Sequence, residues 1–352
     1  MLDLVSQLLG VAHHLARHRI RRGPQRLFAQ VDLRRIGYIG GLLGLTVLVV
    51  MVLHADLPAM LGTLRSAGWP LLWLVPYRGV YFLLYAVGWF YLLKPYDPER
   101  YATLSYVFWV TTVREAIDRL LPVASVGGGV AGVRLMRWRG LGAAPVSATI
   151  IIEIVLTLIV SYAFTALGII LLIEQHVSGS QYRRLLAAFV LSLPVPAITL
   201  ILLRYGSVFA RLQKFLRPLV GETALADTAS TLDKELRACM DRWRPFLLAG
   251  ALQFLALLAG AAEVWFALRL FGHPVGFDTA LILESMTQAM RHLAFVVPAG
   301  LGVQEATLVL FGHLLGITGE LALAVSMAKR MREVLCGIPS LISWQWLEAR
   351  RL

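Results

Sequence analysis

The stretch VVPAGLGVQEATLVLFG (296–312) decides how the rest of the chain is interpreted, because it holds one carboxylate, Glu305, in an otherwise apolar and glycine-rich run. A carboxylate at membrane depth costs about 2.5–3.5 kcal/mol on insertion scales. A segment that keeps such a group faces protein, water or a ligand rather than lipid. The sequence must therefore contain a partner for this glutamate.

Composition predicts an all-α polytopic membrane protein. The 352 residues are 58% hydrophobic and 15% charged, and the mean hydropathy is +0.71, which is unlike a soluble domain. Lipid offers no hydrogen-bond partners, so the apolar runs must be helices. Eight spans are predicted, near 37–53, 69–93, 102–119, 145–173, 185–203, 246–271, 278–294 and 318–347.

Charge divides the chain into four parts. A basic arm (1–35) has seven arginines against two aspartates and predicts a cytoplasmic N-terminus. A first membrane half (36–203) and a second (246–352) flank a polar connector (204–245), which we expect in the cytoplasm. The net charge of +12 lies in short loops beside the spans, so the positive-inside rule explains it and nucleic acid is not an expected partner.

The sequence lacks the usual signatures of metal, cofactor or ATP chemistry. Its two cysteines are far apart, its eight histidines show no HExxH spacing, and no GxxxxGKS loop is present. No aspartate-rich pair or GxSG-like serine element indicates a membrane enzyme. We therefore predict a protein that is not an enzyme and that needs no cofactor.

Two pieces, LLPVASVGGGVAGV (120–133) and FVVPAGLGV (295–303), are too short or too glycine-broken to cross as straight helices. They predict re-entrant segments at an interior site, within related stretches 120–141 and 292–316. With Pro122 aligned on Pro298, Glu153 follows the first proline by 31 residues and Arg330 follows the second by 32. This favours an internal repeat, parallel or inverted. If residues 120–141 form a re-entrant segment, the connector lies on the non-cytoplasmic side of the membrane. If they cross the membrane, the connector lies in the cytoplasm, which the positive-inside rule favours.

The charged residues inside apolar runs are the candidate site. REAIDR (114–119) contains two i,i+4 pairs, Arg114–Asp118 and Glu115–Arg119, which either neutralise themselves or form the polar lip of a cavity. Arg78 lies between aromatic residues, as expected for a side chain that snorkels to the membrane surface. Arg134 either flanks the membrane or binds a phosphate together with the glycine run before it.

Glu153 and Glu305 need cations. The candidate partners of Glu153 are Arg134, Arg330 and Arg332, and those of Glu305 are Lys329, Arg330 and Arg332. We expect a half-helix to begin near Gln304, with Glu305 in its first turn. A purely structural ion pair is the alternative for both. Glu263 with Arg269, and Glu284 with Arg291, are interpreted as structural pairs.

Three motifs together indicate a relation to a known family, namely LPVASVGGGVAGVRLM, PAGLGVQEA and ALAVSMAKRMREVLCGIPSLISWQWLE. From about Asp32 onward the chain resembles the flippase-like transmembrane family related to the N-terminal domain of lysylphosphatidylglycerol synthases, and its VQE and WQWLE details resemble the hopanoid-biosynthesis-associated branch. The resemblance implies lipid translocation and does not imply aminoacylation, which belongs to a soluble domain of the bifunctional relatives. Ala299 and the pair Glu153–Ile154 depart from the family pattern, which expects a second glycine and a glutamate–arginine pair.

The leading prediction is a flippase that moves a polar-headed lipid, of the phospholipid or hopanoid type, across the bacterial inner membrane. The expected partners are that lipid and enzymes of lipid synthesis. A non-catalytic scaffold in a lipid-synthesis complex is the alternative, and its function should survive neutralisation of Glu305. The candidate ligand-binding residues are Arg114, Arg134, Glu153, Glu305, Arg330 and Arg332.

Overall fold

The computed structural model of the chain describes residues 65, 67–120, 127–175, 187, 189–205, 226–294, 297 and 300–350. These residues form helices and no strand, which confirms the all-α polytopic fold. Within them, three helical stretches are long and apolar enough to cross a membrane, namely Trp69–Tyr96, Ala143–Glu174 and Trp243–Leu270. The basic arm (1–35) and the predicted span at 37–53 lie outside the described residues.

Ten helices follow one another in the described ranges. They are α1 (Leu74–Leu93), which follows a 3₁₀ turn (Trp69–Trp73), α2 (Leu104–Leu120), α3 (Gly127–Arg137), α4 (Ala143–Gln175), α5 (Pro194–Tyr205), α6 (Ala226–Asp241), α7 (Trp243–Leu270), α8 (Phe277–Leu293), α9 (Val303–Leu314) and α10 (Gly319–Ala349). The predicted spans from 69–93 onward coincide with helices, although 185–203 does so only over its described part.

The start of α9 shows how the sequence sets a helix boundary. Gly300 and Gly302 have φ angles of 59° and 75°, a left-handed backbone that glycine adopts without steric cost. The chain turns there and α9 begins at Val303, which places Glu305 in the first helical turn. The predicted start of a helix near Gln304, with Glu305 in its first turn, is thereby confirmed.

Helices α1 and α7 pack against each other in opposite directions. The Tyr77 hydroxyl donates to the Ala259 carbonyl at 2.9 Å near the start of α1. Further along, Gly88 lies so close to Ala249 that an added Cβ would be 3.3 Å from the Ala249 Cα. The start of α1 therefore lies beside the end of α7, and the absence of a side chain at Gly88 permits the close contact.

Two short helices run back along the helices that precede them. On α3, the Gly128 amide donates to Asp118 of α2 at 2.9 Å, and the Tyr106 hydroxyl of α2 donates to the Leu135 carbonyl at 2.7 Å. On α9, Gln304 accepts from Arg291 of α8 at 3.0 Å. These hairpins contain the predicted broken segments, but 121–126, 295–296 and 298–299 lie outside the described residues. The re-entrant interpretation stays a prediction.

Each half contributes a helix that packs against the last long helix of the other half. Helix α2 of the first half packs on α10 of the second, and the Trp109 indole donates to Ser343 at 2.9 Å. Helix α8 of the second half packs on α4 of the first, where Gly168 lies against Ser285. This pattern supports the internal repeat α1–α4 and α7–α10. The antiparallel packing of α1 and α7, which take the same place in the two halves, is what an inverted repeat predicts, and the repeat itself stays a prediction.

The connector contains a docked helix rather than a purely surface one. Helix α6 (Ala226–Asp241) lies in the polar connector. It packs on α4, and its Leu236 and Cys239 belong to the buried core of the first half. One face of α6 therefore contributes to the core, which the mixed charge of its sequence did not indicate.

Candidate functional site

A cavity of about 170 Å³ lies between helices of both halves. Tyr81, Phe82 and Tyr85 of α1 form an aromatic wall. The second half contributes Gln288 and His292 of α8. The charged side chains that line the cavity come from α2 and α4 and are Arg114, Glu115, Asp118, Arg119 and Glu153.

Arg114 and Glu153 form the central ion pair of this cavity. The Arg114 Nη1 lies 2.7 Å from the Glu153 Oε2, and the guanidinium lies 4.4 Å from the centre of the Trp89 ring. The expected cation beside Glu153 is confirmed, but the predicted partners Arg134, Arg330 and Arg332 are wrong. Gly132 of α3 explains why Arg114 is the partner of Glu153. A Cβ at position 132 would lie 2.8 Å from the Arg114 Cδ, so the absence of a side chain there makes room for Arg114.

The remaining charges of α2 extend the lip of the cavity. Glu115 accepts from Arg119 at 2.9 Å and from Arg78 of α1 at 3.1 Å. The i,i+4 pair Glu115–Arg119 is confirmed. The predicted pair Arg114–Asp118 does not form, because Arg114 pairs with Glu153 and Asp118 accepts from the Gly128 amide. Arg78 is only 7% exposed and stacks on Tyr81 at 3.6 Å, so its interpretation as a snorkelling residue is wrong.

Arg134 does not join the cavity. It forms an ion pair with Glu348 of α10, and its side chain is 61% exposed. Gly127, Gly128 and Gly129 form the first turn of α3, and this turn packs on α2 through the bond from Gly128 to Asp118. The Gly128 amide is thus already bonded within the protein and Arg134 lies in the last turn of α3, while phosphate binding by Arg134 stays a prediction.

Glu305 is fully buried and has the partner that its position requires. Its Oε1 accepts from the Arg330 Nε at 3.1 Å and from the Ser326 hydroxyl at 2.9 Å. Arg330 also donates to the Gly300 carbonyl at 3.1 Å. Arg330, one of the three predicted partners, is thus correct, and it ties the glycine turn before α9 to α10.

The other two predicted partners of Glu305 bind different carboxylates. Arg332 pairs with Glu263 of α7, and Lys329 lies 2.5 Å from Glu284 of α8. The predicted pairs Glu263–Arg269 and Glu284–Arg291 are wrong. Residues 329, 330 and 332 point in different directions around α10, so the basic cluster is divided among three acidic residues.

Glu333 of α10 is a member of the charge network that the sequence did not single out. It lies 3.4 Å from Arg330, 3.7 Å from Arg291 and 3.8 Å from Arg332. Its sequence signal is weak, because a glutamate beside a basic cluster is interpreted as local neutralisation. The contact with Arg291, which lies on another helix, could not be predicted from spacing.

The six predicted site residues therefore fall into separate groups. Arg114 and Glu153 line the cavity, Glu305 and Arg330 form a buried pair, Arg332 holds α7, and Arg134 lies apart. Among the described residues, no group of three His, Cys, Asp or Glu side chains could hold a metal ion.

The family model for the lysylphosphatidylglycerol synthase TM region matches residues 38–338. This range covers most of the chain. It includes the residues that line the cavity and the buried pairs Glu305–Arg330 and Glu263–Arg332. No curated protein and no solved structure matches the chain significantly.

Proposed function

The chain belongs to the family of the lysylphosphatidylglycerol synthase transmembrane region, and from this premise we propose that it translocates a polar-headed lipid across a bacterial inner membrane. The observation that carries the proposal is the charged cavity between the two halves. A cavity of about 170 Å³ lined by five charged side chains needs a reason to exist, because charged groups among membrane-spanning helices are costly.

The cavity has an amphipathic border that suits a lipid. Ile154 lines it beside Glu153 and is 58% exposed on the outer surface of α4. A head group can therefore occupy the cavity while its hydrocarbon part remains outside, along the apolar surface of α4. Such an arrangement keeps the charge away from lipid and avoids burying the chain in a polar site.

Ion-pair exchange gives the site a way to bind and release a charged group. Arg114 and Glu153 are partners in the described state. A head group that carries phosphate or an amine replaces one member of the pair, and the pair closes again after release. Such an exchange lowers the cost of leaving a buried charge unpaired.

We propose no covalent step and no cofactor. The substrate class is a phospholipid or a hopanoid with a polar head, and the accessory partners are enzymes that supply that lipid. The rival function is a scaffold for a lipid-synthesis complex, which needs neither the cavity nor the charge of Glu305.

The test is reconstitution of the full chain in liposomes with fluorescent lipids whose head groups are anionic, zwitterionic or uncharged. Transbilayer movement is scored by a membrane-impermeant quencher. We expect movement of at least one lipid class well above protein-free liposomes, and at least a tenfold loss for Glu153→Gln. Asp241→Asn is the matched control, because that carboxylate lies in an exposed pair with Arg204.

The scaffold function predicts a different result. An unmodified protein that moves no lipid of any class would contradict translocation. Unchanged movement in both Glu153→Gln and Glu305→Gln would show that neither carboxylate takes part in it. In the first case the protein should instead be assayed for its effect on lipid-synthesis enzymes in the membrane, whereas the second case keeps translocation and rejects the role proposed for these carboxylates.

A further inference from the structure

The C-terminal half of α10 carries a strip of exposed apolar side chains. Leu335, Ile338, Ile342 and Trp346 follow one another at intervals of three or four residues, which places them on one face of the helix. Each of these residues is between 42% and 63% exposed. Exposed apolar surface of this kind marks a place for lipid or for another protein.

The length of this apolar strip matches one leaflet of a bilayer. The rise from residue 335 to residue 346 is about 16 Å at 1.5 Å per residue. The hydrocarbon core of a membrane is about 30 Å thick, so the strip covers the depth of roughly one acyl chain. It ends at Trp346, and tryptophan is enriched where the hydrocarbon meets the head groups.

A fixed cation lies directly beyond the apolar strip. The Arg350 guanidinium carbon lies 3.5 Å from the centre of the Trp346 ring. The ion pairs of α10 within the described residues do not include Arg350. A guanidinium that stacks on an aromatic face keeps the N–H groups at its edge available for an acceptor.

Helix α2 runs antiparallel to α10 beside this end. The Trp109 indole of α2 donates to Ser343 at 2.9 Å. Further along α2, Ala116 lies near Gly337, because a Cβ added at Gly337 would be 3.5 Å from the Ala116 Cβ. Residues that precede Trp109 on α2 therefore lie at the depth of residues that follow Ser343 on α10.

A second stacked arginine lies at the same depth on this neighbouring surface. Tyr106 precedes Trp109 by three residues, and Trp346 follows Ser343 by three. The Tyr106 ring is 4.5 Å from the Arg139 guanidinium carbon, and its hydroxyl donates to the Leu135 carbonyl at 2.7 Å. Aromatic rings of α2 and α10 thus hold one guanidinium each at this level.

Acidic side chains are scarce around the two stacked arginines. Between residues 334 and 350 the only acidic residue is Glu348, and it pairs with Arg134 of α3. The stretch 127–139 contains three arginines and no acidic residue. This end of the protein therefore attracts anions, and the apolar strip lies directly beside it.

We propose that the end of α10 binds an anionic phospholipid of the cytoplasmic leaflet. Its phosphate lies at Arg350, with Arg139 as a second cation, and an acyl chain follows the strip from Trp346 to Leu335. The positive-inside rule places this arginine-rich face in the cytoplasm. This lipid is a bound component of the membrane rather than the translocated substrate, since neither arginine lines the cavity.

The test is native mass spectrometry of the full chain with phosphatidylglycerol and phosphatidylcholine that carry identical acyl chains. We expect the anionic lipid to bind more tightly by about fivefold or more, because its phosphate has no neighbouring ammonium. Arg350→Gln should remove most of this preference. Arg204→Gln is the matched control, because it changes the net charge equally in an exposed pair with Asp241, and it should leave the preference unchanged.

A further variant separates the built site from net charge. Trp346→Leu keeps every arginine and an apolar side chain but removes the ring on which Arg350 stacks. It should weaken phosphatidylglycerol binding by about threefold or more, since a guanidinium without its stacking surface is less preorganised. Arg139→Gln should also weaken that binding. Size-exclusion profiles check that each variant is folded.

The measurement does not depend on lipid movement, so this proposal and the proposed function fail separately. Equal binding of the two lipids would overturn the site and leave the arginine-rich face to an acidic protein partner. Equal losses in Arg350→Gln and Arg204→Gln would overturn it as well. Unchanged binding in folded Trp346→Leu protein would show that net charge alone retains the lipid, which contradicts a site built on the stacked pair.

Discussion

Arg332 and Glu263 show what a buried charge requires in this protein. Each side chain is only 2% exposed, so water cannot replace a missing partner. Removal of one member of such a pair leaves the other buried and uncompensated, at a typical cost of about 3–5 kcal/mol. Their contact therefore fixes α7 to α10.

We predict that Arg332→Met lowers the free energy of unfolding by about 3–5 kcal/mol. The double variant Glu263→Leu with Arg332→Met should recover most of the loss, because an apolar pair leaves no orphan charge. Arg204→Gln is the control, since the Arg204–Asp241 pair is exposed and such pairs contribute about 0–1 kcal/mol. Denaturant titration in detergent measures the unfolding free energy of all three variants. Equal losses of unfolding free energy in Arg332→Met and Arg204→Gln would contradict the prediction.

Residue chemistry predicted which charges need partners but not which partners they take. Glu305 and Glu153 were singled out correctly as carboxylates that lipid cannot accommodate. Arg330 reaches Glu305 because Gly300 lets the chain turn beside it, and Arg114 reaches Glu153 because Gly132 has no side chain. Both choices depend on packing between helices, which spacing along one helix does not contain.

The contact of α3 with α2 requires glycine at one position and not at its neighbour. A Cβ added at Gly128 would lie 2.5 Å from the Arg114 carbonyl oxygen, which is backbone and cannot move away cheaply. A Cβ added at Gly129 would make an ordinary contact of 3.6 Å with Ile150. The two glycines therefore have different roles although they are adjacent in sequence.

We predict that Gly128→Ala separates α3 from α2 and lowers the unfolding free energy by about 1–3 kcal/mol, as expected for overpacking. Gly129→Ala should be neutral or stabilising by up to about 1 kcal/mol, because alanine favours helix. Thermal unfolding followed by size exclusion compares the two variants. A Gly129→Ala variant that is as unstable as Gly128→Ala would show that close packing at residue 128 is not the reason.

Helix α6 provides a second test of docking between elements. Cys239 on this helix is 2% exposed, and burial raises the pKa of its thiol to about 11. The thiolate is the reactive form, and at pH 8 only about 0.1% of such a thiol is ionised. We therefore predict that maleimide modifies Cys239 very slowly at pH 8 and rapidly after denaturation. Fast modification of the folded protein would mean that α6 is not docked on α4.

Helix positions were largely predictable from the sequence, because a run of about 20 apolar residues has few alternatives to a helix. The docking of α6 was not predictable from the sequence, because its buried residues Leu236 and Cys239 lie among charged residues. The glycine-rich start of α3 was interpreted as an anion site for a similar reason. Glycine permits both a backbone nest and close helix packing, and only the neighbour at Asp118 decides between them.

The whole molecule is organised by the antiparallel relation of α1 and α7. The end of α1 lies near the start of α7, where the Arg242 guanidinium is 4.8 Å from the Tyr96 ring and the Tyr96 hydroxyl donates to the Glu235 carbonyl of α6. The start of α1 lies near the end of α7, where Leu71 and Leu74 share a core cluster with Ala267. Helices α1 and α7 thus begin on opposite faces of the described bundle.

This arrangement predicts the sidedness of two loops. Glu99 follows α1 on the face of α6, where Arg237, Arg242 and Arg244 gather, and the positive-inside rule places that face in the cytoplasm. His273 follows α7 and lies on the opposite face. In sealed vesicles of known orientation, a membrane-impermeant maleimide should label Glu99→Cys only from the cytoplasmic side and His273→Cys only from the other, in proteins whose native cysteines are replaced by alanine. Permeabilised vesicles are the control and should label both positions. Labelling of both loops from one side would contradict the placement of these two loops on opposite faces of the membrane, which the antiparallel packing of α1 and α7 predicts.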